Sequence, residues 1–197
     1  MKPGVPGETD NTAETIEEII EQVKAGDKQR YGAIIRKFER QMYTYCYYIL
    51  RNHAETEDAV QEIFIRAYEQ LHKYERQVSF SAWLYKMAYH HLINLKKKQS
   101  RWLKLVNHCK EQQTLPLVSP HAPVVEDMLA ELKPDEQHLL LLKAVEQYTF
   151  EEIAGIMGIQ AANARKKYQR LRHKLLNGRS QEGGIVNGTF AKSNGIR

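Results

Sequence analysis

Apolar side chains recur every three or four positions over most of this chain, the spacing of amphipathic helices. Ile34, Ile35, Phe38, Met42, Tyr45, Cys46, Ile49 and Leu50 fall at helical spacing, and so do Val60, Ile63, Phe64, Ala67, Tyr68 and Leu71. A short break follows over Tyr74 to Ser79. Trp83, Leu84, Met87, Ala88, Leu92 and Leu95 then mark a further helix that ends in Lys96-Lys97-Lys98. No segment alternates with a period of two over the length of a strand, so the pattern predicts an all-α chain.

The periodicity fades between 105 and 123, where Pro116, Pro120 and Pro123 interrupt it. A second helical unit starts near Val124 with Met128, Leu129 and Leu132. Pro134 opens a helix, where its missing N–H costs nothing. Thr149 with Glu152 forms a capping-box signature for the next one, and Gly158 ends it. A last helix takes up near Ala161 and reaches about Leu176. The pattern therefore predicts two helical domains joined by a flexible linker, the C-terminal one a helix-turn-helix. The expected bounds are a disordered lead over 1–13, a first domain over 14–104, the linker over 105–123, a second domain over 124–176 and a disordered tail over 177–197.

Composition narrows the classes. Of 197 residues 42% are apolar and 27% charged, enough for a solid core, which excludes a disordered or collagen-like chain. No apolar run approaches the roughly 20 residues of a membrane-spanning helix. Leu139 to Leu142 is stopped by Lys143, and the first residues carry Pro, Gly and acids where a secretory signal needs a basic start and an apolar stretch. Cys46 and Cys109 form no CxxC pair, which points to a reducing compartment and excludes a disulfide framework or zinc spacing. The expected location is the cytoplasm. No metal spacing, nucleophile elbow or phosphate loop is present and the eight His are scattered. The chain is therefore expected to be no enzyme, with no catalytic residue, no metal, no cofactor and no small-molecule substrate.

Charge adds more than its total of +5 suggests. Lys86 to Lys104 holds six basic residues and no acid, and Gln160 to Leu176 holds six more and again no acid. Outside these two segments acids outnumber bases by seven. Two separate basic surfaces suit two contacts with one extended polyanion. In the second segment Asn163, Arg165, Lys166, Gln169, Arg170 and Arg172 face outward on the helix after a short turn. Such a helix can enter a major groove, where Arg pairs with guanine and Asn or Gln with adenine. Asp58, Gln61, Glu62, Ile65 and Glu69 share one face of a helix whose other face is apolar, an acidic patch able to dock a basic protein. Fourteen of the 18 aromatic residues lie between Tyr31 and Trp102. Tyr74, Trp83, Tyr85 and Tyr89 cluster beside a basic helix end, which suits stacking on unpaired bases.

Taken in order, these elements resemble the extracytoplasmic-function (ECF) group of bacterial sigma factors. Asp58-Ala59-Val60-Gln61-Glu62-Ile63-Phe64 is similar to that family's signature on the helix that grips the clamp coiled coil of RNA polymerase. Phe80-Ser81-Ala82-Trp83-Leu84-Tyr85-Lys86-Met87-Ala88 resembles its promoter-melting segment, and Tyr148-Thr149-Phe150-Glu151-Glu152-Ile153-Ala154 the opening of its C-terminal helix-turn-helix. The resemblance spans roughly residues 14–176.

The resemblance implies a promoter-specificity factor made of a region 2 and a region 4 domain. Asp58, Gln61, Glu62 and Ile65 would dock on core polymerase, with the beta-prime clamp and the beta flap as partners. The loop Tyr74, Glu75, Arg76, Gln77, Val78 and Ser79 would hold a flipped base of the −10 element. Trp83, Lys86, His90 and Asn94 would lie along that strand, and Lys97, Lys98 and Arg101 would hold its backbone. Arg165, Gln169 and Arg170 would read the −35 element, with Asn163, Lys166 and Lys167 nearer phosphates. Promoter DNA and an anti-sigma factor, often membrane-anchored in this family, are the further partners implied. His90 stands where the family commonly has Asn, Ala162-Asn163-Ala164 where it often has Gly-Thr-Val, and the loop lacks the usual Gly. Two other readings remain open from the residues alone: a stand-alone helix-turn-helix regulator, and a sigma-like decoy that titrates an anti-sigma factor.

Overall fold

The computed structural model describes residues 14–106, 129 and 132–182. The expected lead, most of the expected linker and the tail beyond 182 lie outside the described residues. Seven α-helices and no strand occur among the described residues. They are α1 (Ile16–Lys24), α2 (Tyr31–Leu50), α3 (His53–Gln70), α4 (Phe80–Val106), α5 (Pro134–Leu140), α6 (Phe150–Met157) and α7 (Ala161–Glu182). Helices α1–α4 form an N-terminal lobe and α5–α7 a C-terminal one.

Local chemistry explains most boundaries. Thr15 and Glu18 close a capping box at the start of α1, and Thr149 and Glu152 close another at α6. Each satisfies backbone N–H groups that have no partner inside the helix. Asn52 accepts from the Glu55 N–H at 3.0 Å and starts α3 two residues after α2 stops. Ser79 Oγ accepts from the Ala82 N–H at 3.2 Å and starts α4 in the same way. Gly158, with φ +68°, ends α6 in the left-handed region that glycine enters at least cost.

Two helices run longer than the pattern predicts. The helix expected to end at Lys96-Lys97-Lys98 continues to Val106, because lysine is itself a good helix former and no Gly or Pro interrupts residues 99–106. The last helix, expected to stop near Leu176, continues to Glu182. A single Gly178 costs about 1 kcal/mol against Ala and the residues around it tolerate helix. After α5 the backbone widens into one π turn over Leu141–Val145, and Gln147 takes φ +59° to redirect the chain into α6.

The buried faces of α1–α4 meet around Ile34, Met42, Ile63, Leu84 and Leu92, all without exposed surface. Leu139, Leu142, Ile153 and Ala164 hold the C-terminal lobe, and Leu129 and Leu132 add to it. The two cores form one continuous cluster, because α6 packs on α4 and α5 on α2.

Candidate functional site

The acidic face of α3 borders a groove of about 1080 Å³ between α2 and α3. Its apolar lining includes Ile35, Val60, Phe64 and Ile65, and Glu39, Arg40, Glu57 and Glu69 rim it. The Tyr31 hydroxyl donates to the Phe64 carbonyl oxygen at 2.7 Å and joins the two walls. Gln61 and Ile65 line this groove, with Ile65 45% exposed, whereas Asp58 and Glu62 are not among its lining residues. Glu62 is engaged by Arg66 at 2.7 Å. A largely apolar groove with charged edges suits a helical protein partner.

Along α4 the helical spacing sorts residues cleanly. Trp83, Lys86, His90, Asn94, Lys97, Lys98 and Arg101 fall on one stripe. All are exposed except Trp83, which is half-buried. Leu84, Tyr85, Ala88, Tyr89 and Leu92 are buried on the opposite side. Of the four aromatics expected to suit base stacking, Tyr74, Tyr85 and Tyr89 are therefore core residues and Trp83 alone has a face towards solvent. Tyr85 and Tyr89 point inward because they sit half a turn away from the basic stripe and meet the C-terminal lobe.

The loop before α4 divides in two. Tyr74 is 2% exposed, packed edge-on to Phe80 and tilted against Trp83, and its carbonyl accepts from Lys24 Nζ at 2.8 Å. It braces the loop and offers no ring to a base. Ser79 is engaged as the cap of α4. Glu75, Arg76, Gln77 and Val78 are exposed between these two anchors, Val78 by 50%.

In the C-terminal lobe α6, the turn at Gly158 and α7 form the predicted helix pair. Asn163, Arg165, Lys166, Lys167, Gln169 and Arg170 are all exposed on α7, while Ala164 and Leu171 are buried against α6. Ala164 has no exposed surface, so its small side chain sets how closely the two helices cross. Arg165 leans back from this face: its guanidinium lies 3.4 Å from Glu151 and 5.4 Å from the centre of the Phe150 ring.

The family described as Sigma-70 region 2 matches residues 34–101, and the one described as Sigma-70, region 4 matches residues 124–175. The ECF RNA polymerase sigma factor SigW of Bacillus subtilis is 28% identical over 176 residues, covering 81% of this chain and 94% of its own. The chain belongs to the ECF group of RNA polymerase sigma factors. Two solved structures share its fold. CnrH in complex with the cytosolic domain of CnrY has a TM-score of 0.64 at 17% identity, covering 83% of this chain and 96% of that one. The sigma factor RpoE in complex with the anti-sigma factor NepR from Bartonella quintana has 0.63 at 16%, covering 80% and 98%.

In this sigma factor the two basic stripes meet. The C-terminal half of α4 and the middle of α7 line one cleft of about 1030 Å³, which brings Lys97 and Arg101 together with Lys167 and Arg170. Lys133, Asp135 and Glu136 at the start of α5 complete it. Two groups in or near this region have perturbed proton affinities that no sequence pattern indicates. Lys96 is half-buried, and burial lowers its pKa although Glu55 acts to raise it. His91 packs towards α3, where burial first and Arg66 second lower its pKa. Helical spacing places both on the flanks of the buried face, but only the packed neighbours make them perturbed. Among the described residues no group of three or more His, Cys, Asp or Glu could hold a metal ion, and no helix is long and apolar enough to cross a membrane.

Proposed function

We propose that this sigma factor grips core polymerase through the α2–α3 groove, opens the −10 element with the loop and stripe of α4, and reads the −35 element with α7. The observation that carries the reading is the segregation of charge. Two exposed, acid-free stripes lie on α4 and on α7, and an acidic edge flanks an apolar groove between α2 and α3.

Gln61 and Ile65 supply the buried part of the polymerase contact, and Asp58 and Glu62 its charged edge towards the beta-prime clamp. The C-terminal lobe sits at the beta flap. Glu75, Arg76, Gln77 and Val78 form the rim that receives a flipped −10 base. Unstacking that base costs a few kcal/mol, which a pocket offsets only for the base that fits. Lys86, Lys97, Lys98 and Arg101 hold the strand backbone, with His90 and Asn94 between them within reach of base edges. On α7 Gln169 and Arg170 read the major groove, and Asn163, Lys166 and Lys167 contact phosphates that set the register. Arg165, drawn towards Glu151 and Phe150, must release that contact to reach a base. Braced by the loop, Tyr74 and Ser79 act as structural anchors of this site.

The protein acts without cofactor and without catalysis of its own, in the cytoplasm, on promoter DNA. An anti-sigma factor is its expected restraint, in keeping with the partners named for CnrH and for RpoE of Bartonella quintana. The deciding experiment is run-off transcription from sheared genomic DNA by core bacterial RNA polymerase, with and without this protein. New transcripts that share upstream elements are expected. Binding to core without any transcript would replace this reading with the decoy, and binding to DNA alone would replace it with the stand-alone regulator.

A further inference from the structure

The contact between the lobes is built unlike either core. Leu139 and Leu142 supply apolar surface, but the centre is a ladder of aromatic and polar groups. Tyr45 of α2 meets Tyr85 of α4 edge-on, with ring centres 5.0 Å apart, and Tyr85 meets Tyr148 at 5.4 Å. The Ser81 and Tyr148 hydroxyls are hydrogen-bonded across the same seam, and the Tyr89 hydroxyl donates to the Asp135 carboxylate at 3.5 Å. His138 of α5 stands in the middle with no exposed surface. Its ring lies between Tyr45, at 5.6 Å, and Tyr89, at 4.9 Å. Its Nδ1 shares a 2.7 Å hydrogen bond with the Tyr45 hydroxyl, and its Nε2 is buried with no hydrogen-bond partner.

This pocket accepts a neutral imidazole and rejects a charged one. A protonated ring carries an N–H at both nitrogens, and here the one at Nε2 would be buried without an acceptor. The groups around it supply no compensating anion. From α2 come Tyr45 and Cys46, and from α4 Tyr85, Tyr89 and Lys96. Asp135 of α5 is turned to Tyr89, and Glu146 after the π turn faces the Tyr85 hydroxyl. Lys167 and Arg170 of α7 line the cleft beside Asp135 and Lys96. Burial first and Lys96 second lower the His138 pKa from 6.5 to about 3.

The closed arrangement also conflicts with the two promoter contacts. Lys97 and Arg101 of α4 and Lys167 and Arg170 of α7 line one and the same cleft. By their numbering the −10 and −35 elements are centred some 25 base pairs apart, about 85 Å of duplex at about 3.4 Å per step. The basic stretches of α4 and α7 that share this cleft cannot reach both elements at once, so the lobes must part for the function proposed above.

We propose that His138 is a proton-operated latch between the two lobes, which holds them closed when neutral and releases them when protonated. The sign follows from the direction of the shift. A histidine whose pKa falls on closure stabilises the closed form fully above its open-state value of 6.5, and that contribution is lost as pH falls towards 3. Between pH 7.5 and pH 5 the closed-to-open ratio should fall about thirty-fold. The opening itself is independent of the promoter reading; only its consequence for transcription rests on it.

The test is small-angle X-ray scattering of the purified full chain from pH 7.5 to 4.5, with helix content followed by circular dichroism and the His138 ring signal by NMR. The radius of gyration should rise as pH falls below 6.5 while helix content stays constant. His138→Leu, which keeps the site filled but cannot take a proton, should remain compact over the whole range. Tyr45→Phe removes the partner of Nδ1 and should move the transition to higher pH, a check that does not depend on the Leu variant folding. Three results would overturn the latch: a constant radius while the His138 signal titrates near 6.5, expansion of His138→Leu with the wild-type midpoint, or loss of helix in step with expansion.

Discussion

The hydroxyl of Tyr74 donates a hydrogen bond to the carbonyl oxygen of Val78, 3.0 Å away, and so ties the first residue of the loop to the turn before α4. The intervening residues Glu75, Arg76 and Gln77 are left exposed on a closed frame. Removing only the tie, in Tyr74→Phe, should cost about 1 kcal/mol of stability, the net worth of one hydrogen bond. Promoter opening should fall, because a loosened rim receives a flipped base less well, while binding to a −35 duplex should not change. Thermal unfolding and permanganate reactivity of −10 thymines check the two halves.

Ile65 is apolar and 45% exposed at the edge of the α2–α3 groove. Ile65→Glu should leave the melting temperature almost unchanged, because little surface is lost from the core. Affinity for core polymerase should fall by at least about ten-fold, as expected when a charge replaces an apolar contact of an interface. Fluorescence anisotropy of labelled protein titrated with core measures this directly. Undiminished affinity would move the polymerase contact away from this groove.

Arg170 and Lys98 occupy different stripes and should fail differently. Arg170→Ala should cost about 1–3 kcal/mol of discrimination and relax the preference at one −35 position. Lys98→Ala should weaken holoenzyme binding evenly across promoter sequences and reduce the salt slope by about 1. Competition binding over single-base promoter variants at several salt concentrations separates base readout from backbone attraction.

Cys46 is fully buried on α2, and burial pushes its thiol up to about 12. The reactive thiolate is therefore scarce at pH 8, and a buried sulfur also excludes reagent. With Cys109 replaced by Ser, the folded chain should react with Ellman's reagent at least a hundred-fold more slowly than the chain in denaturant. Because the thiol is neutral when folded, its contribution to stability is complete below pH 9 and is lost as pH rises towards 12.

Much of this protein could be read from its residues in order. Local rules settle where helices begin and end, so Thr149 with Glu152, Pro134 and Gly158 announced their boundaries. Helical periodicity alone puts Lys86, His90, Asn94 and Lys97 on one stripe of α4 and Gln169 and Arg170 on the outer face of α7. The acid-free segments and the motif from Asp58 to Phe64 carried the family resemblance in the same way. Each of these depends on neighbours three or four positions apart, and such distances are written into the sequence.

Contacts across tens of residues are not, and there the tertiary structure decided. Tyr74, Tyr85 and Tyr89 read equally well as stacking platforms or as core, because an aromatic ring suits both and only packing chooses. Helix α4 passed its cluster of lysines, since charge modulates a helix end without dictating it. His138 was one of eight scattered histidines until folding set it between Tyr45 and Tyr89, residues 93 and 49 positions away. Burial, and with it the perturbed proton affinity of His138, is a property of what surrounds a side chain. The surroundings come from distant segments, so no local pattern could have announced them.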